Sequence, residues 1–332
     1  MKKKFFILCA ALVWTVALMA QSIAVVKANG STTLVRTLDE AIAVVNENDG
    51  CVVYLPGGGF SVSDDSKITK KVTIIGIGHK SKNDNVDGVT IISGNIYFNE
   101  GSDGSALMGC YITGNANIGE DAAVDDVYVK YCNLNSVQVK NADCTGTFIN
   151  QNFIRGESRF GNSVVTITNN VLYNRLFNIN GGIISYNILA HIGNWGGGQT
   201  MYDVNNVSIT NNILRNSGGG THYGSSIQSG NNLVVSESSI GSWGDIPVVI
   251  DAYVNDILVD VNNWSISPNS NFHFKENYKE YESQVGIYAG DGFNDAQIAP
   301  VPYIVAKRID EQTDASGMLS VKIRVKAGGE EE

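Results

Sequence analysis

The stretch Thr166-Ile-Thr-Asn-Asn-Val-Leu172 decides the fold, because similar stretches recur along the chain. In each copy a short apolar run meets a polar break, and an apolar residue follows two positions later. Repeats with a period of a few tens of residues are typical of solenoids and propellers. The copies are Ala106–Ile112, Tyr128–Leu134, Phe148–Ile154, Thr166–Leu172, Ile183–Leu189 and Ser208–Leu214, with a fainter one at Val234–Ile240.

The polar breaks form a column when the copies are aligned, and they are 17 to 26 residues apart. That spacing is too short for WD40 or TPR units. The apolar runs are short, rich in β-branched residues and bounded by Gly and Asn, which favours strands over helices. A parallel β-solenoid fits best; leucine-rich repeats are the rival, but no fixed Leu consensus recurs. The column reads Cys110, Cys132, Asn152, Asn170, Asn187, Asn212 and Ser238.

Asparagine at a repeated bend has a physical cause. Its short side chain tolerates the left-handed backbone conformation and can bond to neighbouring peptide groups. On stacked coils the side-chain amides can also bond to one another, so the column predicts an asparagine ladder.

Asn169–Asn174 and Asn211–Asn216 resemble coils of the right-handed parallel β-helix superfamily, which includes the pectate lyases. The N-terminal region, with a helix after Thr37 and strands at 52–57 and 72–78, is similar to the opening of those proteins. The resemblance implies an all-β, right-handed parallel β-helix with an N-terminal capping helix. Such a helix would cover strand edges that otherwise invite aggregation.

The C-terminal region, with segments at 285–292, 298–304 and 319–327, resembles the tail of secreted Bacteroidetes-type β-helix proteins, most of which have no assigned activity. It predicts a linker followed by a β-hairpin. The expected organisation is a signal peptide at 1–20, a β-helix domain with its N-terminal cap at 31–290, and a C-terminal linker and hairpin segment at 291–332.

The first twenty residues have the form of a secretory signal peptide. Lys2, Lys3 and Lys4 precede an apolar run from Phe5 to Ala20, which is short for a membrane span of roughly 20 apolar residues. We therefore expect export to the periplasm, the cell surface or the medium, with no transmembrane span after the signal is removed.

The composition disfavours a nucleic-acid partner. The chain of 332 residues has a formal charge of −10, and loss of the three N-terminal lysines makes it −13. Phosphate backbones need a basic footprint. The same charge disfavours polyanionic substrates unless a local cation or Ca²⁺ compensates for it.

Four cysteines follow the signal segment. Cys110 and Cys132 share the break column, so a buried thiol stack is expected on adjacent coils, with a disulfide between them as the alternative. Cys51 and Cys144 lie in other parts of the repeat and are expected to be free. No Cys-x-x-Cys pair or His-rich cluster indicates a zinc site.

Candidate binding residues lie in the turns after each break, where basic and aromatic side chains concentrate. Aromatic rings combine apolar area with a polar group, and Arg and His bond to hydroxyls or carboxylates. These features predict a carbohydrate-binding face. In the competing interpretation the same side chains are ordinary loop residues that cover the core. The residues of the predicted face are Arg155, Glu157, Tyr173, His191, Trp195, Arg215, His222, Tyr223 and Trp243.

No recognisable catalytic set accompanies this face, and its catalytic residues are unknown. A polysaccharide lyase needs a base and a cation beside a uronate, and a glycosidase needs two carboxylates. Among the carboxylates near this face, Glu157 and Asp203 come nearest to such a pair. No cofactor is predicted. Ca²⁺ binding by Asp121, Asp125 and Asp126 is not supported by a clear motif.

The sequence therefore predicts an exported β-helix protein with a binding or structural role towards glycans, without catalysis. The alternative is a carbohydrate-active enzyme, a polysaccharide lyase before a glycoside hydrolase. The partner expected under either reading is a polysaccharide or glycan.

Overall fold

The computed structural model describes residues 22–80, 88–190, 200–216, 222–236, 248–250, 254–261, 265–295, 297–299, 303–309 and 321–326. The predicted signal peptide, His191, Trp195 and Trp243 lie outside the described residues. The described chain is an all-β parallel solenoid of about eight turns, as the repeat predicts.

Each coil contributes strands to three faces, here called A, B and C, in that order along the chain. Face A contains β3 (Cys51–Tyr54), β6 (Val72–Ile75), β9 (Ala106–Met108), β12 (Tyr128–Lys130), β15 (Thr147–Asn150) and β24 (Gln228–Gly230). Face C contains β5 (Lys67–Ile68), β8 (Ile96–Phe98), β11 (Asn115–Ile118), β14 (Ser136–Val139) and β23 (His222–Tyr223). Three long strands run from face C into face A: β17 (Ser158–Thr168), β19 (Leu176–Ser185) and β21 (Met201–Thr210).

Face B is a separate parallel sheet of ten strands. Its strands are β4 (Gly58–Ser61), β7 (Thr90–Ser93), β10 (Tyr111–Ile112), β13 (Asn133–Leu134), β16 (Phe153–Ile154), β18 (Val171–Leu172), β20 (Ile188–Leu189), β22 (Ile213–Asn216), β25 (Leu233–Ser236) and β26 (Val248–Ile250).

The turn between faces A and B carries the predicted asparagine ladder. Asn187 is fully buried, and its side-chain amide donates to Asn212 Oδ1 at 3.0 Å and to the carbonyls of Ile167 and Ser185 at 2.8 and 2.9 Å. Its own Oδ1 accepts from the backbone N–H of Asn170 at 2.8 Å. The same pattern links Asn152, Asn170, Asn187, Asn212 and Asn232.

One position of the predicted column is wrong. Leu233 of β25 pairs with Ile213 of β22, so Asn232 follows Asn212 in the column, whereas the predicted member Ser238 lies outside the described residues. The run Leu233–Val235 is a face B strand, whereas the sequence alignment placed Val234 at the start of a face A strand.

The residue before each ladder position adopts the left-handed conformation. Tyr131, Gln151 and Tyr186 have φ of 54°, 56° and 58°, like the asparagines at 169 and 211. Positive φ is uncommon for such side chains. The bonds of the ladder therefore hold a turn that local preference alone does not select.

The interior is filled by the inward side chains of all three faces in one hydrophobic cluster. Cys110 and Cys132 lie in it, fully buried, and all four cysteines of the described chain are free and buried. This agrees with the expected thiol stack. Burial raises the pKa of the Cys132 thiol to about 12, which makes the reactive thiolate scarce at neutral pH.

The helix α1 (Leu38–Glu47) forms where the sequence predicts it. Thr37 accepts from the Glu40 N–H at 3.1 Å, and the Glu40 carboxylate accepts from the Thr37 N–H at 3.2 Å, which completes the capping box. Leu38, Ala41, Ile42 and Val45 join the main core. That α1 caps the end of the solenoid stays a prediction. Beside it, β1 (Ile23–Val26) pairs antiparallel with β2 (Thr32–Val35) and β3.

A C-terminal strap, residues 271–295 and 297–299, runs back along the coils beside the ladder turn. Asn211 Nδ2 donates to the Gln284 carbonyl, Asn169 Nδ2 to the Ile287 carbonyl, and the Asn294 N–H to Gln151 Oε1, at 2.8, 2.9 and 2.7 Å. These partners succeed one another towards the N-terminal coils. The strap includes a 3-10 helix (Glu276–Tyr281) and follows the short helix α2 (Val254–Ile257).

Apolar side chains of the strap and of the segment before it cover the outer side of face B. Phe153, Val171, Ile188, Ile213 and Leu233 form a second hydrophobic cluster with residues of both segments, which are Ile257, Leu258, Val261, Phe272, Phe274, Val285 and Ile287. Beyond the strap, β27 (Tyr303–Ile309) and β28 (Val321–Lys326) pair antiparallel as the predicted hairpin.

Replacing Asn187 by Ala should lower the free energy of unfolding by at least about 3 kcal/mol. The change leaves the Ile167 and Ser185 carbonyls and the Asn170 N–H buried without these partners, and each orphaned group costs roughly 1–3 kcal/mol. Urea denaturation measures the effect, with the exposed Asn269→Ala as the control. Equal stability of both variants would contradict a stabilising ladder.

The thiol arrangement predicts four alkylated cysteines when the signal-free chain is unfolded and labelled without reductant, because Cys51, Cys110, Cys132 and Cys144 are free. In the folded protein Cys110 and Cys132 should react far more slowly than in urea, since both are buried. Mass spectrometry counts the labels. A mass two labels lower would establish a disulfide instead.

His79 should make the fold sensitive to acid. Burial lowers the pKa of His79 from 6.5 to about 4, and its Nε2 lies 3.1 Å from Gln297 Oε1 in the strap. The neutral ring is favoured in the folded state. The contribution of His79 to the free energy of unfolding is therefore complete above pH 6.5 and is lost as the pH falls towards 4. His79→Gln should flatten this decline by up to about 3 kcal/mol, as measured by unfolding at several pH values. An unchanged pH slope would show that His79 does not titrate this way.

Candidate functional site

The outward side chains of face C form one column along the solenoid. The parallel register pairs each of them with the equivalent residue of the next coil, so neighbours stand about 4.8 Å apart along the axis. From the N-terminal side the column reads Lys67, Tyr97, Asn117, Gln138, Arg159, Phe177 and Tyr202.

Arg159, Phe177 and Tyr202 are the centre of this column, here called the face C site. The Arg159 guanidinium lies over the Phe177 ring, 4.3 Å from its centroid. The Phe177 and Tyr202 rings are 5.8 Å apart and tilted by 46°. Phe177 is 8% exposed and Tyr202 is 43% exposed, so Phe177 supports the neighbours while Tyr202 offers ring surface to a ligand.

Glu157 and Gln138 complete the polar side of the face C site. Glu157 Oε2 lies 3.1 Å from Arg159 Nη2 in an ion pair whose two side chains are both substantially exposed. Gln138 Nε2 donates to the Glu157 carbonyl and to Ser136 Oγ, each at 2.8 Å. The ion pair holds the guanidinium in place. The side-chain oxygen of Gln138 remains as a hydrogen-bond acceptor.

Turns beside the site are held by asparagine and aspartate. Asn178 and Asp203 follow Phe177 and Tyr202 with φ of 57° and 54°, which re-aims β19 and β21 from face C into face A. The Asp203 carboxylate accepts from Asn178 Nδ2 at 2.9 Å and from Asn205 Nδ2 at 3.0 Å. Asp203 therefore serves the bend, and the bend fixes the direction of the two aromatic rings.

Arg155, predicted as a ligand-binding residue, is engaged within the fold. Its Nη1 donates to Tyr111 Oη at 2.8 Å and its Nη2 to the Ile112 carbonyl at 2.6 Å. Its guanidinium also lies 4.9 Å from the Tyr111 ring centroid. These contacts tie Arg155 to a coil two turns earlier.

The other predicted residues are not all brought together. Glu157 belongs to the face C site. His222 and Tyr223 form β23, whose backbone pairs with Met201 and Tyr202 of β21. Tyr173 is 38% exposed and Arg215 is buried; both lie at the end of face B strands, one turn away from the column. The remaining three, His191, Trp195 and Trp243, lie outside the described residues.

The sequence reasoning missed Gln138, Phe177 and Tyr202. It searched the turns after the break column, whereas these side chains lie on strands. The register-paired residues Arg159, Phe177 and Tyr202 each follow one position after an inward residue of face C. A search for the outward neighbour of each face C core residue would have found them.

The acidic residues considered for calcium have protein partners. Asp121 pairs with Lys67 at 3.3 Å, and Asp125 Oδ1 accepts from the Thr145 N–H and hydroxyl at 2.6 and 2.9 Å. Within the described part of the chain, no group of three or more His, Cys, Asp or Glu side chains is arranged to hold a metal ion.

Glu157 and Asp203 are separated along the solenoid. Glu157 immediately precedes β17 and Asp203 lies in β21, two coils further, which is about 10 Å along the axis, and each has the partner described above. Retaining glycosidases place the two carboxyl groups about 5 Å apart and inverting enzymes about 6.5–9.5 Å apart.

Comparison with protein-family models, curated proteins and solved structures finds no match to this chain. Of the helices in the described ranges, none has the length and apolar character needed to cross a membrane.

Proposed function

We propose that this chain is an exported, non-catalytic glycan-binding protein, and that it belongs to the right-handed parallel β-helix group that its coils resemble. The observation that carries the binding role is the column of Arg159, Phe177 and Tyr202, with an exposed ring beside fixed hydrogen-bonding groups. Aromatic rings contribute apolar area, and the neighbouring guanidinium and amide groups bond to hydroxyls.

The geometry of the column favours an extended ligand that lies along the solenoid axis. Side chains recur at one-coil intervals of about 4.8 Å, so a chain of similar units can make the same type of contact on successive coils. Arg159, Phe177 and Tyr202 occupy three successive coils, so the surface is at least three coils long.

The competing function is a carbohydrate-active enzyme, a polysaccharide lyase before a glycoside hydrolase. The separation of Glu157 and Asp203 and their engagement in other contacts support the non-catalytic proposal. Incubating the protein with plant, host and uronate polysaccharides, with and without Ca²⁺, separates the two. New reducing ends or absorbing unsaturated products would favour the enzyme.

Tyr202→Ala should weaken glycan retention about two- to tenfold, because a stacking contact contributes roughly 0.5–1.5 kcal/mol. Affinity electrophoresis in gels containing neutral polysaccharides measures retention. Tyr202→Phe should keep most of it, since the ring remains.

The matched control is Tyr54→Ala on face A, because Tyr54 and Tyr202 are both 43% exposed. Circular dichroism and thermal unfolding should show that both variants fold. If Tyr202→Ala migrates as the wild type does in every gel that retards the wild type, the face C site does not bind the glycan. If no gel retards the wild type, the glycan-binding proposal fails.

A further inference from the structure

The charges of the face C site are balanced within the protein. The described part of the column contains two cations, Arg159 and Lys67. Arg159 pairs with Glu157 at 3.1 Å, while Lys67 lies 3.3 Å from Asp121 and 3.5 Å from Glu120. Each cation thus has a carboxylate partner before any ligand arrives.

From this balance we infer that the face C site selects neutral glycans and discriminates against uronates. The inference rests on the proposed glycan-binding function and names the class of glycan. Hydroxyl groups can bond to the outer edges of the Arg159–Glu157 pair and to Gln138 without breaking the pair, and Tyr202 supplies a ring that any sugar can contact.

A uronate carboxylate would meet unfavourable electrostatics at the same place. If it bonds to the Arg159 guanidinium, it shares that cation with the Glu157 carboxylate, which lies 3.1 Å from Nη2 and carries a like charge. Attraction over longer range is also lacking, because the chain has a formal charge of −10, and net charge of the same sign lowers the local concentration of an anionic ligand.

Glu157 is therefore a specificity-determining residue in this inference. Glu157→Gln removes the competing carboxylate and leaves a neutral side chain of the same shape. The Arg159 charge becomes available to a uronate, while the contacts of Tyr202 with a neutral sugar are unaffected.

Chemically matched polymers test the inference. Polygalacturonate and alginate are each compared with their carboxyl-reduced forms, which keep the linkage and lose the charge, alongside neutral glucan, galactan, xylan and mannan. Retention by wild type, Glu157→Gln and Tyr202→Ala is measured by affinity electrophoresis at low and high salt. Glu47→Gln, an exposed residue of α1, is the control for the change in net charge.

The expected result is that wild type is retained by one or more neutral or carboxyl-reduced polymers and less, by fivefold or more, by any uronate. Glu157→Gln should reduce the ratio of retention by the carboxyl-reduced polymer to retention by the uronate at least threefold at low salt. High salt should restore the wild-type ratio because surface charges are screened. Glu47→Gln should behave as wild type does.

Two results would overturn the inference while the glycan-binding function stands: wild type retained at least as strongly by a uronate as by its reduced form, or a gap that Glu157→Gln leaves unchanged. Retention by none of the polymers, or retention that Tyr202→Ala does not weaken, would instead contradict the proposed function of the site.

Discussion

The buried amides of the turn between faces A and B set the geometry of the whole solenoid. The Asn187 side-chain amide donates to the Ile167 carbonyl of the previous coil, the Ser185 carbonyl of its own coil and Asn212 Oδ1 of the next coil. Its oxygen accepts from the backbone N–H of Asn170 on the previous coil. Buried peptide groups must be bonded, and no water is needed when each coil supplies the same amide. The turn therefore keeps one length, two residues between the strands, on successive coils from β9 to β25.

Constant turn geometry keeps the strands of successive coils in register, and register makes the outer surface a set of columns. The contact between Arg159 and Phe177 and that between Phe177 and Tyr202 join residues 18 and 25 positions apart in the sequence. Neither pair is a local motif. The ladder thus acts on the candidate site indirectly, since it places these side chains on adjacent coils at the same height of face C.

What the sequence could predict depends on whether a feature repeats or is local in the chain, or instead needs residues that are far apart in the sequence. The ladder was accessible because asparagine recurs at the same position of successive copies, although its bonds join neighbouring coils. The helix after Thr37 was accessible because its capping box is local. The column was continued to Ser238 and not to Asn232 because the apolar run at Leu233 fits a strand of face A or B equally well, and only its pairing with Ile213 decides between them. The contacts of Arg155 were inaccessible for a similar reason, because its partner Tyr111 lies two coils away and no sequence signal links them.

The outside of the described solenoid is used in three different ways. Face B is covered by the chain itself, through Phe272, Phe274 and their neighbours. On face A the rings of Tyr128 and Phe148 stack on each other, 4.8 Å apart and within 6° of parallel, so their inner faces are already occupied. On face C the tilt between Phe177 and Tyr202 leaves the Tyr202 ring exposed beside the Arg159–Glu157 pair. A half-exposed ring next to hydrogen-bonding groups of balanced charge suits the proposed polar, uncharged ligand, because such a ligand gains contact area without a charge that must be stripped of water.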